Sequence, residues 1–253
     1  MKVKYGFALH NSYWLKLTSF IEIEGRILEG VFEKRLTRFS ALVNVNGENL
    51  PCFLPNPGRL YELLTPGARV ILRESATAEK QRKTFCDIVG VYSGDIIVSI
   101  DSRVPSRLVL EALKHGNLPM FRDYSAVKPE YHHGRSRFDF FLYGGETAKP
   151  CLLEVKSCTL VRNGAAMFPD APTERGVRHV LELAKALNEG FRAAVLFIIQ
   201  RSDAKIFQPN DETDPKFGKV LREAVKSGVE VYAYMAIFAG NRIVLNGKVE
   251  VRL

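Results

Sequence analysis

Cysteine is scarce: Cys52, Cys86, Cys151 and Cys158 are the only four in 253 residues, each lies alone on an apolar stretch, and none forms a C-x-x-C pair. That spacing argues against a thiolate zinc site and against a disulfide framework, and it suits a reducing compartment. Long apolar runs are also missing. None approaches the roughly 20 residues a membrane helix needs, and the start, MKVKYGFALHNSYWLKLT, has no long apolar stretch ahead of a small-residue cleavage site. These absences predict a soluble, cytoplasmic protein without a membrane partner. No helix-turn-helix pattern is evident, so reading of a DNA groove by a recognition helix has no obvious carrier. Acidic residues are in the minority, 28 against 36 Lys plus Arg, giving a net charge of +8. A basic surface favours polyanions through counterion release. The excess is larger after Asp101, where 23 basic residues face 17 acidic ones, than through Asp101, where 13 face 11.

What is present centres on Arg137 to Thr159, RFDFFLYGGETAKPCLLEVKSCT. Two short apolar runs flank a polar turn, the pattern of a hairpin, and an acid sits inside each run. A turn centred between Glu146 and Thr147 pairs residues whose numbers sum to 293, which places Asp139 opposite Glu154 and Arg137 opposite Lys156. Alternation along a strand then puts Asp139, Glu154 and Lys156 on one face and Phe138, Phe140, Leu153 and Val155 on the other. An isolated Glu-x-Lys is ordinarily a solvated strand face. Two carboxylates brought about 5 Å apart in apolar surroundings instead call for a cation or a shared proton. A hard divalent ion, Mg²⁺ or Mn²⁺, held by one or two carboxylates with water and substrate phosphate, meets that need.

Residues 20 to 101 read as five or six short strands separated by Asn46-Gly47, Pro55-Asn56-Pro57-Gly58, Thr65-Pro66-Gly67 and Ser93-Gly94, with Phe20 to Phe32 as the first strand. This predicts a small all-β barrel of the oligonucleotide-binding (OB) type over residues 1–101. Within it, Arg35 and Arg38 beside Phe39, and Arg59 in a tight loop, are candidate phosphate contacts. A helix through Arg107 to Lys114 carries Glu111, a candidate third carboxylate. Ala126 to Tyr131 reads as an edge strand because of Pro129. Residues 162–172 read as an irregular loop, followed by a helix from Thr173 to Asn188 with Val177, Val180, Leu181, Ala184 and Leu187 on its apolar face and Arg175, Arg178, His179 and Glu182 on another. A buried strand Phe191 to Ile199, a helix Pro215 to Ser227, a strand Val229 to Phe238 and a terminal hairpin turning at Asn246-Gly247 complete residues 102–253 as an α/β domain with a mixed sheet.

A helix bearing Glu111, a hairpin bearing Asp139 and Glu154-x-Lys156, then a helix and a strand resemble the PD-(D/E)XK (restriction-endonuclease-like) superfamily. More narrowly the chain is similar to the sugar fermentation stimulation family (SfsA), through Lys34-Arg35, Arg38-Phe39, Asn56, Gly58-Arg59, Ser136-Arg137-Phe138-Asp139, Glu154-Val155-Lys156-Ser157, Met167-Phe168-Pro169-Asp170-Ala171 and Thr173-Glu174-Arg175-Gly176 with His179. The resemblance implies an OB-like barrel, a nuclease-like second domain and DNA binding. The family's name reflects a proposed role in regulating maltose use. About the first 18 residues extend beyond the family's usual start.

The expectation is therefore a DNA-binding protein with a metal-dependent phosphodiesterase site. Asp139, Glu154 and Glu111 would hold the metal. Lys156 would orient or deprotonate the attacking water, or neutralise developing charge. Arg35, Arg38, Arg59, Arg137, Arg175, Arg178 and His179 would contact nucleic acid. A non-catalytic DNA-binding regulator with a vestigial site is the alternative. A carbohydrate-cleaving enzyme would also use two carboxylates, but it gives Lys156 no role.

Overall fold

Short strands broken by turn residues build the first domain: β1 (Phe20–Glu22), β2 (Ile27–Thr37), β3 (Ser40–Val45), β4 (Glu48–Phe53), β5 (Arg69–Glu74), β6 (Cys86–Ser93) and β7 (Ile96–Ser99). The computed structural model describes residues 18–74, 84–146 and 148–253, so the expectations for residues 1–17 lie outside the described residues. Asn46 and Gly47 take φ values of 53° and 92°, as a two-residue hairpin requires, and fold β4 back on β3 with Val45 opposite Glu48. Strands run in the order β4-β3-β2-β5-β6, and a β4–β6 pairing closes the five into a barrel that β7 extends. Phe32, Val43, Cys52, Leu72, Ile88 and Val91 fill its interior.

The expected single strand from Phe20 to Phe32 is interrupted at Gly25, where φ is 98°. Strand β1 turns away from the barrel and pairs with β16 (Arg242–Lys248) in the second domain's sheet. Residues 1–101 are therefore not wholly one domain.

That second sheet contains β8 (Ala126–His133), β9 (Ser136–Tyr143), β10 (Cys151–Cys158), β13 (Arg192–Ile199) and β15 (Glu230–Ala239), in the order β1-β16-β15-β13-β10-β9-β8. The central trio β10, β13 and β15 is parallel and its flanks are antiparallel. The unbroken apolar run of β13 follows from this, because a central parallel strand is covered on both faces. Helix α1 (Val104–Lys114) packs on one face. The other carries α2 (Glu174–Asn188) and α3 (Pro215–Lys226). Strand β8 is the expected edge, with Pro129 in it.

Two expectations are corrected here. Residues 162–172 are not wholly irregular: β11 (Val161–Arg162) and β12 (Ala165–Phe168) join β14 (Ile206–Pro209) and β17 (Glu250–Val251) in a second small sheet, a pairing with partners too distant in sequence to foresee. Asn246-Gly247 is not a hairpin turn, because β16 continues through it to Lys248, which pairs with Tyr234 after a bulge.

The domains share a core. Ile71 and Val89 on the barrel's outer surface pack into the α1-side cluster, and Gly90 permits the approach, since a Cβ there would lie 3.2 Å from the Phe238 ring. Ser99 donates its N–H to the Gln200 carbonyl at 3.0 Å, and Gln200 Nε2 reaches Ser157 Oγ at 2.9 Å. The barrel is thereby fixed against the C-terminal ends of β10 and β13.

Candidate functional site at the domain junction

The β9–β10 ladder has the expected register: Leu142 faces Cys151, Phe141 faces Leu152 and Phe140 faces Leu153. It stops one step short of the acids. Instead of a backbone acceptor across the gap, Val155 N–H finds the carboxylate of Asp139, at 2.8 Å to Oδ2. On the other side of β9 the β8 pairing skips from Pro129↔Phe140 to Tyr131↔Phe138, and the intervening Glu130 sits at φ 53°. The strand rolls over at this point, which corrects the expectation for Phe138. It packs among the α2-side core residues, with its ring 5.8 Å from that of His179, whereas Phe140, Leu153 and Val155 face α1. The roll leaves Asp139 in the fork between β9 and β10, with Ser106 Oγ of α1 donating to Oδ1 at 3.0 Å.

Glu154 is 3% exposed and His179 2%. Glu154 Oε1 takes both Lys156 Nζ and His179 Nδ1 at 2.5 Å, while Oε2 is buried with no hydrogen-bond partner among the described residues. Burial opposes the charge of Glu154, but Lys156 and His179 outweigh it and hold the carboxyl below its ordinary value. Asp139 moves the other way: burial, then the neighbouring charge of Glu154, push it up. Two carboxyl groups a few atoms apart are thus driven in opposite directions, an arrangement suited to dividing charge-bearing and proton-holding roles.

Both acids line a cavity of about 420 Å³ between the domains. The barrel contributes one wall, with Arg38, Asn56, Pro57 and Gly58, and the segment Met167–Thr173 with Arg175 forms the other. Asn56 shapes its loop by donating to the Ile100 carbonyl at 2.8 Å and accepting from Gly58 N–H at 2.8 Å. Arg35 clamps the same loop. Its guanidinium donates to the carbonyls of Thr37, Arg38, Asn56, Gly58 and Arg59 at 2.7–3.3 Å, which engages the whole five-donor fork. The walls meet where Arg59 N–H donates to Asp170 Oδ2 at 3.0 Å. A larger residue at Gly58 must displace the Asp170 carboxylate, since a Cβ there would lie 2.7 Å from that oxygen.

Of the residues singled out in the sequence, the structure brings Asp139, Glu154, Lys156, Arg38 and Arg175 to the cavity, with Arg59 at its rim. It does not bring Glu111, which pairs with Lys114 at 2.9 Å and lines a different cavity with Phe20, Arg107 and His115. Five residues along a helix amount to a rotation of about 140° and a rise of about 7.5 Å, so Ser106, not Glu111, is the α1 residue that meets Asp139. Arg35 is a loop clamp rather than a phosphate ligand. His179 is too buried to touch phosphate and supports Glu154 instead, on a buried face of α2 that also takes Leu183, while the predicted Leu181 is 44% exposed. Arg137 pairs with Glu130 at 3.2 Å on the β8–β9 surface, and Arg178 is exposed on α2 away from the cavity lining. Nothing in the sequence marks Ser106 as a site residue, and Asp170 enters only within the motif Met167-Phe168-Pro169-Asp170-Ala171. Helix α2 is capped by Thr173, which accepts from Gly176 N–H at 3.0 Å.

The architecture defines a class: a closed OB barrel joined to an α/β domain with a mixed sheet, with a carboxylate hairpin at the junction. Family models match both parts, the SfsA N-terminal OB domain over residues 34–100 and the sugar fermentation stimulation protein RE domain over residues 103–241. The chain belongs to the sugar fermentation stimulation protein family. It is 46% identical over 231 residues to a sugar fermentation stimulation protein homolog of Caldanaerobacter subterraneus subsp. tengcongensis, covering 91% of this chain and 99% of the relative. It is 47% identical over 232 residues to one of Thermoanaerobacter sp., with the same coverage. The structure of Pyrococcus furiosus SfsA in complex with Ca²⁺ superposes with a TM-score of 0.83 at 27% identity, covering 92% of this chain and all of that one. No helix among the described residues is long and apolar enough to cross a membrane.

Proposed function

We propose that the protein binds nucleic acid, DNA foremost, and hydrolyses its phosphodiester bonds at a PD-(D/E)XK-type site with Mg²⁺ or Mn²⁺. The observation that carries this reading is Glu154 Oε2, a buried carboxylate oxygen without a hydrogen-bond partner among the described residues, on a residue that lines the inter-domain cavity beside Asp139. A buried acceptor left unsatisfied is costly, and a cation shared with Asp139 would satisfy it. No cluster of three or more Cys, His, Asp or Glu suited to a metal occurs among the described residues. Two carboxylates fit a hard ion that keeps water and substrate phosphate in its shell, not an all-protein cage. The Pyrococcus furiosus relative is a complex with Ca²⁺, which supports a divalent ion here.

Bound there, the ion would lower the pKa of a coordinated water and offset charge on the phosphate. The protein's own residues do the rest. Ser106 and Val155 N–H orient Asp139; His179 fixes the rotamer of Glu154; Lys156, held on Glu154 Oε1, places a positive charge beside the reacting phosphate; Arg38 and Arg175 offer guanidinium groups from opposite walls. Asp139→Ala or Lys156→Ala should abolish Mn²⁺-dependent DNA cleavage and leave DNA affinity largely intact. Equal cleavage by the wild type and Lys156→Ala would sink the proposal.

A second reading is a non-catalytic DNA-binding regulator linked to sugar metabolism. It draws on the double engagement of Glu154 Oε1, which neutralises that carboxylate without a metal, and on the name the relatives carry. DNA binding unaccompanied by cleavage, with and without Mn²⁺, would favour it.

A further inference from the structure

Resting on that nucleic-acid reading, we infer that the site admits a free single-stranded end, a nucleotide or so at a time, and excludes continuous duplex. The two walls of the cavity are bonded to one another. The Arg59 N–H to Asp170 Oδ2 bond spans the gap, the close fit at Gly58 leaves no slack beneath it, and the clamp of Arg35 on five carbonyls keeps the barrel loop from swinging aside. The cavity they flank holds about 420 Å³ and is partly open to solvent, near the low end of pockets that hold one small ligand. A duplex, whose major groove alone is about 12 Å wide, cannot bring a mid-strand phosphate between Asp139 and Arg38 without parting these walls. A single strand entering end-first can.

A second observation points the same way. The barrel turns next to Arg38 and Arg59 carry large exposed aromatic rings. Tyr61, two residues beyond Arg59, is 72% exposed, and Phe39 is 46% exposed with the Arg38 guanidinium 5.5 Å from its ring centre. Exposed rings interleaved with arginine are the hardware with which OB barrels stack unpaired bases. In duplex DNA those base faces are already covered.

The test is binding by the full-length protein in Ca²⁺ of three fluorescent DNAs of one sequence: a linear single strand, the same strand ligated into a circle, and a duplex closed by a hairpin at each end. The linear strand should bind at least tenfold more tightly than the other two. Tyr61→Ala, at an exposed position, should weaken the linear strand by about tenfold, the scale of one stacked base, and leave binding of the closed duplex unchanged. Asp170→Ala, which removes the bridge, should raise affinity for the circle relative to the linear strand. Equal affinity for circle and linear strand, or a preference for the closed duplex, would overturn end entry. Cleavage in Mn²⁺ separates this from the parent proposal. End-selective binding without turnover refutes the phosphodiesterase and keeps the end-binding site, internal cuts in the circle refute end entry and keep the phosphodiesterase, and no affinity for any of the three refutes both.

Discussion

Replacing His179 with alanine tests whether the imidazole holds the buried Glu154 carboxylate in its charged form. The ring nitrogen lies 2.5 Å from Glu154 Oε1 on side chains 2% and 4% exposed. A hydrogen bond to a charged group contributes about 1.5–3 kcal/mol net, and the vacated ring volume adds a cavity cost of about 1–2 kcal/mol. The variant should therefore lose about 3–5 kcal/mol of a total near 5–15 kcal/mol, a fall in Tm of about 10 °C for a chain of this size. Packing loss alone could imitate part of this, so a double-mutant cycle with the near-isosteric Glu154→Gln is decisive. Urea unfolding of the four proteins in the presence of a chelator at pH 7 should give a coupling of about 1–2 kcal/mol. The pH dependence adds a sign. With the Glu154 carboxyl held below its ordinary value, burial opposing its charge and Lys156 and His179 outweighing burial, the unfolded state binds its proton first as pH falls. The stabilisation is complete above the unfolded glutamate pKa of about 4.3 and is lost as pH drops through the lower folded value. A coupling under about 0.5 kcal/mol, ordinary additivity, or one that grows on acidification, would refute the assignment of His179 to Glu154.

Arg35→Lys keeps the charge but loses the fork. It should cost about 2–3 kcal/mol, since several charge-assisted bonds to carbonyls vanish, and should weaken DNA binding with it; thermal melting and anisotropy report the two, and a loss within about 0.5 kcal/mol, as at an ordinary surface position, would mean the loop needs no clamp. Gly58→Ala should cost about 1–3 kcal/mol by overpacking, partly relieved by Asp170→Ala in the same chain, and a melt of the double variant no better than Gly58→Ala alone would count against the contact. Ser106→Ala removes a donor to Asp139, whose carboxyl already sits high through burial and the nearby Glu154. The pH below which Mn²⁺ affinity falls off, followed by calorimetry, should therefore move upward. Glu111→Ala, by contrast, should leave both Mn²⁺ affinity and stability unchanged.

How much of this was legible in the sequence depends on whether the deciding contact is local. The β9–β10 register was legible, because two apolar runs around a polar turn admit few alignments and the sum of 293 recurs in all three pairs. The roll at Asp139 was not, because it depends on Glu130 in a left-handed conformation and on a carboxylate taking a backbone N–H. Alternation assumes an unbroken ladder, and the face assigned to Phe138 failed where the ladder did. Likewise β1 is contiguous with the barrel in sequence, yet it finds its partner more than 200 residues away.

The basic residues show the limit most clearly. Sequence counts charge, but whether a guanidinium can meet a phosphate depends on which of its donors the fold has already used. Arg35 and Arg38 are three residues apart and indistinguishable by composition. Arg35 gives all five donors to backbone carbonyls, whereas Arg38 lines the cavity, stacked near an exposed phenyl ring. The former makes the latter useful: by fixing the loop from Asn56 to Arg59 against the β2–β3 turn, it sets the wall on which Arg38 stands and the bridge to Asp170 that joins it to the facing wall. An arginine spent on the backbone therefore limits what the unspent one can reach, and that division exists only once residues 35 and 59 are brought together.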